Sequence, residues 1–356
     1  MRTTIHYPCG MVDIEANVRS KLIFRANLEL GKCEREILKT CKGMDAIKAI
    51  PYIERIDQYS HNHYAVCYCA LIEKALNLEP DTQLERLRTI TLEKERIYSH
   101  LNFLQRMFYL AEDKILNNMA ESAINLMLDD MEEITGSRTY SVFNKPQGLN
   151  YNFTIGNYSY SKKTNKELVK ILDEINIATH KSISLKSQYG KLCQIKENKD
   201  PITGPFSWSK INGFDLRITN PYLAYGEEEI AKILHKKQTA DSSYAYGRII
   251  SILEDVLTSS KIIDKILDSS KQELRINDQK EQLIPKGKYT NSIEGPRGKI
   301  ELNVEIGENN ELKDINIKSP SIYNKDMAAS ALIHCPYEDI QKAFESLYIS
   351  IMEIDG

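Results

Sequence analysis

Two four-residue blocks at opposite ends of the sequence set oxygen donors three residues apart: Asp57-Gln58-Tyr59-Ser60 and Ser350-Ile351-Met352-Glu353. Brought together, two carboxylates and two hydroxyls could hold a hard divalent cation weakly, or knit a hydrogen-bonded polar pocket. A second group follows at once, His61-x-His63 and Cys67-x-Cys69. On a helix His63 and Cys67 share a face, but residues two apart do not, so all four cannot converge on one ion. At most they make a two-ligand half-site, and packing in a core or interface is the preferred role for the cysteines. Neither a phosphate-cradling glycine loop nor a dinucleotide fingerprint is present, and no Ser/His/Asp set carries a hydrolase context.

These residues need elements to hold them. Val18 to Glu29 alternates as strand and hairpin, and a short helix is expected near 34–41. Pro51 opens an expected long helix through about Asn77, closed by Pro80. From Thr82, Leu84, Leu87, Ile90, Ile97, Leu101 and Leu104 recur at helical spacing, and a further helix over 114–134 stops at Gly136. Residues 143–162 and 193–220 read as loops, 166–189 and 242–270 as helices. Strands are expected near 300–306 and 312–317, with helix from Lys325 onward. The fold class is α+β, mainly α: a long-helix bundle with small β segments near the N-terminus and at about 290–320. The expected divisions are a mixed segment over 1–50, a helical core over 51–285, and a β segment with a returning C-terminal helix over 286–356.

Composition narrows the function. The 356 residues carry a net charge of −3 with both signs mixed, so no basic stripe points to nucleic acid. The longest apolar run, Tyr64 to Ile72, is far short of the roughly 20 residues of a membrane helix. The N-terminus lacks the apolar stretch of a signal peptide, and seven scattered cysteines without a C-x-x-C pair suit reduced thiols. A soluble, cytoplasmic-side protein is expected.

Read in order, the motifs form a pattern. Arg55-Ile56-Asp57 is followed by Glu73, Arg88, Glu93, Arg96 and His100, then Thr135-Gly136-Ser137-Arg138 and Lys145-Pro146-Gln147-Gly148. Asp215-Leu216-Arg217 precedes Asn220-Pro221-Tyr222-x-x-Tyr225; Tyr246-Gly247-Arg248 leads to Asp255 and Ser259. Glu294-Gly295-Pro296-Arg297-Gly298 and Lys318-Ser319-Pro320-Ser321 complete the series. In this order the chain resembles the superfamily of nickel–iron hydrogenase large subunits and the respiratory complex I 49-kDa-type subunit. It is closest in type to energy-converting hydrogenase-related large subunits that have lost the metal-binding cysteines. Asp57, Ser60, Ser350 and Glu353 stand at the four thiolate positions, and Gln147 breaks an R-P-G-G segment.

The resemblance implies a hydrogenase large-subunit-like fold and a place in a membrane-associated oxidoreductase complex, peripheral on the cytoplasmic face of the cell membrane. Its partners would be a small subunit carrying an iron–sulfur cluster and integral anchor or antiporter-like subunits. The chain itself would bind no cofactor, since hard oxygens cannot rebuild a thiolate-bridged nickel–iron centre; a vestigial polar pocket is favoured at Asp57, Ser60, Ser350 and Glu353. Its work would be to line the cavity of an electron acceptor, quinone among the candidates, and couple electron transfer to ion translocation. Asp57, Tyr59, His6, Glu93, Arg96 and His100 are the residues expected at that cavity and in its polar network. The family's quinone tyrosine directly follows R-x-D, where this chain has Gln58, with Tyr59 one step on. Its acidic partner corresponds to Leu110, with Glu112 and Asp113 close by, and its histidine loop is echoed only by His6-Tyr7-Pro8. The rival reading is a non-catalytic scaffold, a degenerate paralogue within such a complex. Whether the chain is itself enzymatic stays open at this point.

Overall fold

The computed structural model describes residues 1–7, 10–30, 35–195, 204, 215–237, 240–269, 273 and 282–355. Pro8, Cys9, Cys33 and most of the expected 193–220 loop, with Pro201, Pro205 and Gly213, lie outside them. The chain opens with an antiparallel sheet of β1 (Arg2–Tyr7), β2 (Gly10–Arg19) and β3 (Leu22–Glu29), in that order. Val12, Ile14 and Ala16 of β2 point into the core. Two short helices, α1 (Ile37–Cys41) and α2 (Ile50–Ile53), lead to α3 (His61–Ala75).

The bundle follows: α4 (Thr82–Leu110), α5 (Lys114–Thr135), α6 (Ile155–Lys181), α7 (Ile183–Tyr189), α8 (Leu216–Thr219), α9 (Glu228–His235) and α10 (Ala245–Ser269). Asp81 caps α4 by accepting from the Gln83 amide at 2.9 Å. Gly136 ends α5 in the left-handed conformation, φ 74°. Helix α4 packs on both α5 and α10, so every residue from Arg88 to Leu101 is buried. A helix buried all round is normally apolar. This one carries Arg88, Glu93, Lys94, Glu95, Arg96 and His100, each of which therefore needs a partner.

Between β4 (Asn144–Lys145) and β5 (Gly148–Leu149) lies a small hairpin. The second antiparallel sheet, β6 (Gly287–Gly295), β7 (Gly298–Ile306) and β8 (Leu312–Lys318), packs on α3. Cys67, Cys69, Leu71 and Ile72 there meet Ile293, Ile300, Leu302 and Val304 in a core separate from that of the bundle. Helices α11 (Pro320–Ala331), α12 (Ile340–Glu345) and α13 (Ile351–Asp355) complete the chain. None of the described helices is long and apolar enough to cross a membrane.

Three expectations need correction. The helix expected over 51–77 is broken: Asp57 is extended (φ −143°, ψ 131°) and α3 starts only at His61. The loop expected over 143–162 ends early, because Thr154 and Asn157 form a capping box that starts α6 at Ile155. The helix expected after Lys325 is interrupted, with left-handed backbone at His334 and Tyr348.

Candidate functional site

The break before α3 gives Asp57 its partners. Its Oδ2 accepts from the Tyr59 amide at 3.1 Å, Ser60 Oγ at 2.6 Å and Arg297 Nη1 at 2.9 Å. Its Oδ1 accepts from Ser350 Oγ at 2.7 Å. Glu353 completes the group: Oε1 lies 3.7 Å from Arg297 Nη1, and Oε2 accepts from Ser321 Oγ at 2.5 Å. Thus Asp57, Ser60, Ser350 and Glu353 do converge, and they converge on a guanidinium. Arg297 is delivered by the tight turn between β6 and β7, where Gly295 pairs with Gly298. Gly298 has φ 133°, which a side chain would strain. Burial raises the Glu353 carboxyl, Arg297 opposes the shift and Asp57 adds to it; the result is about 7.

Beside this group lies a cavity of about 270 Å³. Gln58, Tyr59, His6, Arg297 and Tyr348 line its polar side, and Phe103, Ile349, Ile351 and Met352 its apolar side. Tyr59 is not on a helix but in the turn before α3, so the helical rotation between Gln58 and Tyr59 does not apply and both reach the cavity. The Arg297 guanidinium lies over the rings of Tyr348 and Tyr59, at 4.8 and 5.5 Å. Its Nε is buried without a hydrogen-bond partner. Glu112 and Asp113 instead form the turn after α4, Asp113 capping α5.

Tyr348 connects the cavity to the interior. Its hydroxyl is 3.0 Å from His100 Nδ1 and 2.7 Å from Ser99 Oγ. His100 Nε2 is 2.9 Å from Asp255 Oδ2 on α10. A carboxylate only accepts, so Nε2 carries the proton and Nδ1 accepts from the tyrosine. Burial, outweighing Asp255, pushes His100 down to about 4 and keeps it neutral at neutral pH.

Behind His100 lies a fully buried ion network. Arg217 Nη2 donates to Asp255 at 2.9 Å and Asp215 at 2.7 Å, and Lys237 is 2.9 Å from Asp255. Arg96 Nε donates to Glu93 at 3.2 Å, and Tyr225 donates to Glu93 at 2.5 Å. Three carboxylates (Glu93, Asp215, Asp255) face three cations (Arg96, Arg217, Lys237), so the cluster is close to neutral. Glu294 sits at its edge; burial and the Asp215 charge push it up to about 8. Glu93, Arg96 and His100 therefore share one network, whereas Asp57, Tyr59 and His6 lie at the cavity. Arg55 belongs to neither, and Glu73 pairs separately with Arg88 at 2.8 Å.

Both the sequence and the fold have known relatives. A family model described as the respiratory-chain NADH dehydrogenase 49-kDa subunit matches residues 119–286. The D-type subunit of the NADH-quinone oxidoreductase of Desulfotalea psychrophila is 24% identical over 366 residues, covering 97% of this chain and 93% of its own. Its counterpart from Carboxydothermus hydrogenoformans is also 24% identical, covering 97% and 94%. A solved chain of the membrane-bound sulfane sulfur reductase, an archaeal respiratory membrane complex, superposes with a TM-score of 0.88 at 16% identity, covering 97% and 94%. By these matches the chain is similar to the complex I 49-kDa subunit family.

The sequence resemblance to hydrogenase large subunits raises the question of a nickel–iron centre, and the residues here do not fit one. The donors are hard oxygens, and the Arg297 guanidinium already stands among them as cation. His63 and Cys67 do not form a half-site either: His63 Nδ1 bonds Glu95 at 2.6 Å, while Cys67 Sγ is 3.8 Å from Asn291 Nδ2. Sequence reasoning missed the roles of Arg297, Tyr348 and Glu95. Arg297 lay within the Glu294–Gly298 motif already singled out; Tyr348 stood just before the Ser350–Glu353 block with nothing to mark it, and nothing local marked Glu95.

Proposed function

We propose that this chain is the large peripheral subunit of a complex I-like membrane oxidoreductase and lines the cavity where an electron acceptor is reduced. The cavity's polar wall is the observation that carries the reading. An acceptor with two oxygens, such as a quinone, needs donors to its oxygens and a source of protons. Arg297, Tyr59 and His6 line the cavity and would bind it. Tyr348 would donate its hydroxyl proton to the reduced acceptor and be reprotonated by water entering the cavity, while His100, held by Asp255, orients the hydroxyl. The central ion network would feel each change of charge in the cavity and pass it on as a coupling force to ion translocation.

Electrons would come from an iron–sulfur cluster in a small partner subunit, and integral membrane subunits would anchor the assembly on the cytoplasmic face. Asp57, Ser60, Ser350 and Glu353 keep Arg297 in place and hold no metal of their own.

Purification of the complex from native membranes through this subunit, with metal analysis and iron–sulfur spectroscopy, tests the proposal. Clusters in a co-purifying small subunit, acceptor reduction and no nickel in this chain are expected. Nickel held stoichiometrically by this chain would overturn the metal-free site. Absence of any cluster-bearing partner would leave the scaffold reading in its place.

A further inference from the structure

The N-terminus of α3 holds a second titratable cluster that the cavity chemistry does not use. Glu95, reaching from α4, accepts three hydrogen bonds, from the amides of Asn62 and His63 at 2.8 and 2.9 Å and from His63 Nδ1 at 2.6 Å, while His61 Nδ1, bonded to the Gln58 carbonyl at 3.2 Å, stands 2.8 Å from its Oε1. All these groups are buried. Capping accounts for the two amide contacts, but an imidazole bonded to the same carboxylate and a second one beside it exceed what capping requires. Burial opposes the Glu95 charge, but His61 and His63 outweigh it and hold the carboxyl well below its usual range.

Gln58 O and Glu95 face His61 Nδ1 and Glu95 faces His63 Nδ1, all of them acceptors, so both Nδ1 atoms carry the proton and the two Nε2 atoms are the acceptors. Asn62 Nδ2 donates to His61 Nε2 at 3.2 Å, and Asn144 Nδ2 donates to Asn62 Oδ1 at 3.1 Å. The string ends at Asn144 Oδ1, which is buried without a partner. Half-turn rotations of both amides reverse it: a proton on His61 Nε2 would donate to Asn62 Oδ1, and Asn62 Nδ2 to Asn144 Oδ1. His61 can therefore gain a proton without losing a hydrogen bond. His63 Nε2 is also buried and unpartnered, facing the charges of Glu93 and Arg96.

The remaining neighbours set the direction of uptake. Glu54 accepts from the Val142 amide through Oε2 at 2.9 Å, while Oε1 has no partner. Burial pushes Glu54 up to about 7, opposed by His61. Burial disfavours a charged His61, but Glu95 and Glu54 outweigh it and raise the imidazole. Burial lowers His63, so His61 is the site that fills first. On its outer side the His61 ring lies 5.4 Å from Tyr140, which is half-buried beneath the exposed Arg55. Solvent is thus one side chain away.

We infer that His61, Glu95 and His63, with Glu54 and the Asn62–Asn144 amide pair, form a proton-loading cluster, filled from the Tyr140 face when the cavity is reduced. It rests on the acceptor-cavity reading above. The proton arrives at His61 Nε2, one positive charge is added, and the Glu93–Arg96 network senses it through His63.

The test uses the complete complex from native membranes. Proton uptake during acceptor reduction is followed with a pH indicator, and turnover is measured from pH 6 to 8. His61→Gln keeps a side-chain amide donor for Glu95, and Asn144→Leu blocks the amide reversal. Each should lower turnover at pH 8 about tenfold or more, with a smaller effect at pH 6. Redox-induced infrared difference spectra of the unaltered complex, with isotope-labelled histidine, should show a histidine band that shifts with the label. Wild-type pH profiles and uptake in both variants, or no histidine band, would overturn the cluster's role while leaving the cavity reading intact. A wild-type complex that reduces no acceptor would overturn the cavity reading first, and the cluster's role with it.

Discussion

Arg297 Nη1 stands 2.9 Å from Asp57 Oδ2 and 3.7 Å from Glu353 Oε1, so a side chain of the protein balances these two carboxylates. The arginine comes from a hairpin tip and the acids from chain segments far apart in sequence. The group is thus a three-way clasp between the α3 entrance, the second sheet and the C-terminal segment.

Removing the cation should loosen that clasp. Arg297→Ala leaves buried carboxylates unbalanced and should cost about 3–5 kcal/mol. Arg297→Lys keeps the charge without the planar fork and should cost less. Thermal melting of the assembled complex gives the comparison; equal melting points for Arg297→Ala and wild type would contradict the pairing.

Tyr348→Phe removes only the hydroxyl that links the cavity to His100. Acceptor reduction should fall by about 10²–10⁴-fold if that hydroxyl is the donor, with assembly and cluster spectra unchanged. Undiminished turnover would assign proton donation elsewhere.

Glu294 carries a pH signature. Its folded carboxyl is raised to about 8 from 4.5, so its contribution to stability is fully present below pH 4.5 and is lost as pH rises through about 8. His100, pushed to about 4 from 6.5, runs the other way, and its contribution is lost as pH falls. Glu294→Gln should flatten the stability loss between pH 4.5 and 8, measured by chemical unfolding at several pH values. An unchanged slope would show that Glu294 is not held protonated.

Away from the cavity, Lys94 pairs with Asp130, and Ser161 accepts from Lys94 at 3.1 Å. Asp130→Ala should cost about 3–5 kcal/mol, whereas replacing both ions by apolar residues of similar volume should be close to neutral. Chemical denaturation of the single and double variants separates the two outcomes, and turnover per assembled complex should be unchanged.

The sequence disclosed what repeats or stands in order. Leu84 to Leu104 announced α4, and Glu93, Arg96 and His100 share a face of it at intervals of three and four residues. The break at Asp57 was hidden because no Gly or Pro lies between Glu54 and Ser60. It is imposed from outside, by Arg297 and Ser350 engaging the Asp57 carboxylate. Tyr348 was equally silent: its left-handed backbone, φ 54°, is dictated by the site it serves. Glu95 looked like any helix charge because its partners, His61 and His63, are more than thirty residues away.

Ser350 reaches Asp57 across 293 residues of chain. During synthesis the first half of this contact leaves the ribosome long before the second exists, and at ordinary elongation rates of about 5–20 residues per second the wait is tens of seconds. Until then Asp57 has no Ser350 to satisfy it and the wall formed by Tyr348 to Met352 is missing. Closure of the pocket is therefore one of the last steps by which the new chain folds.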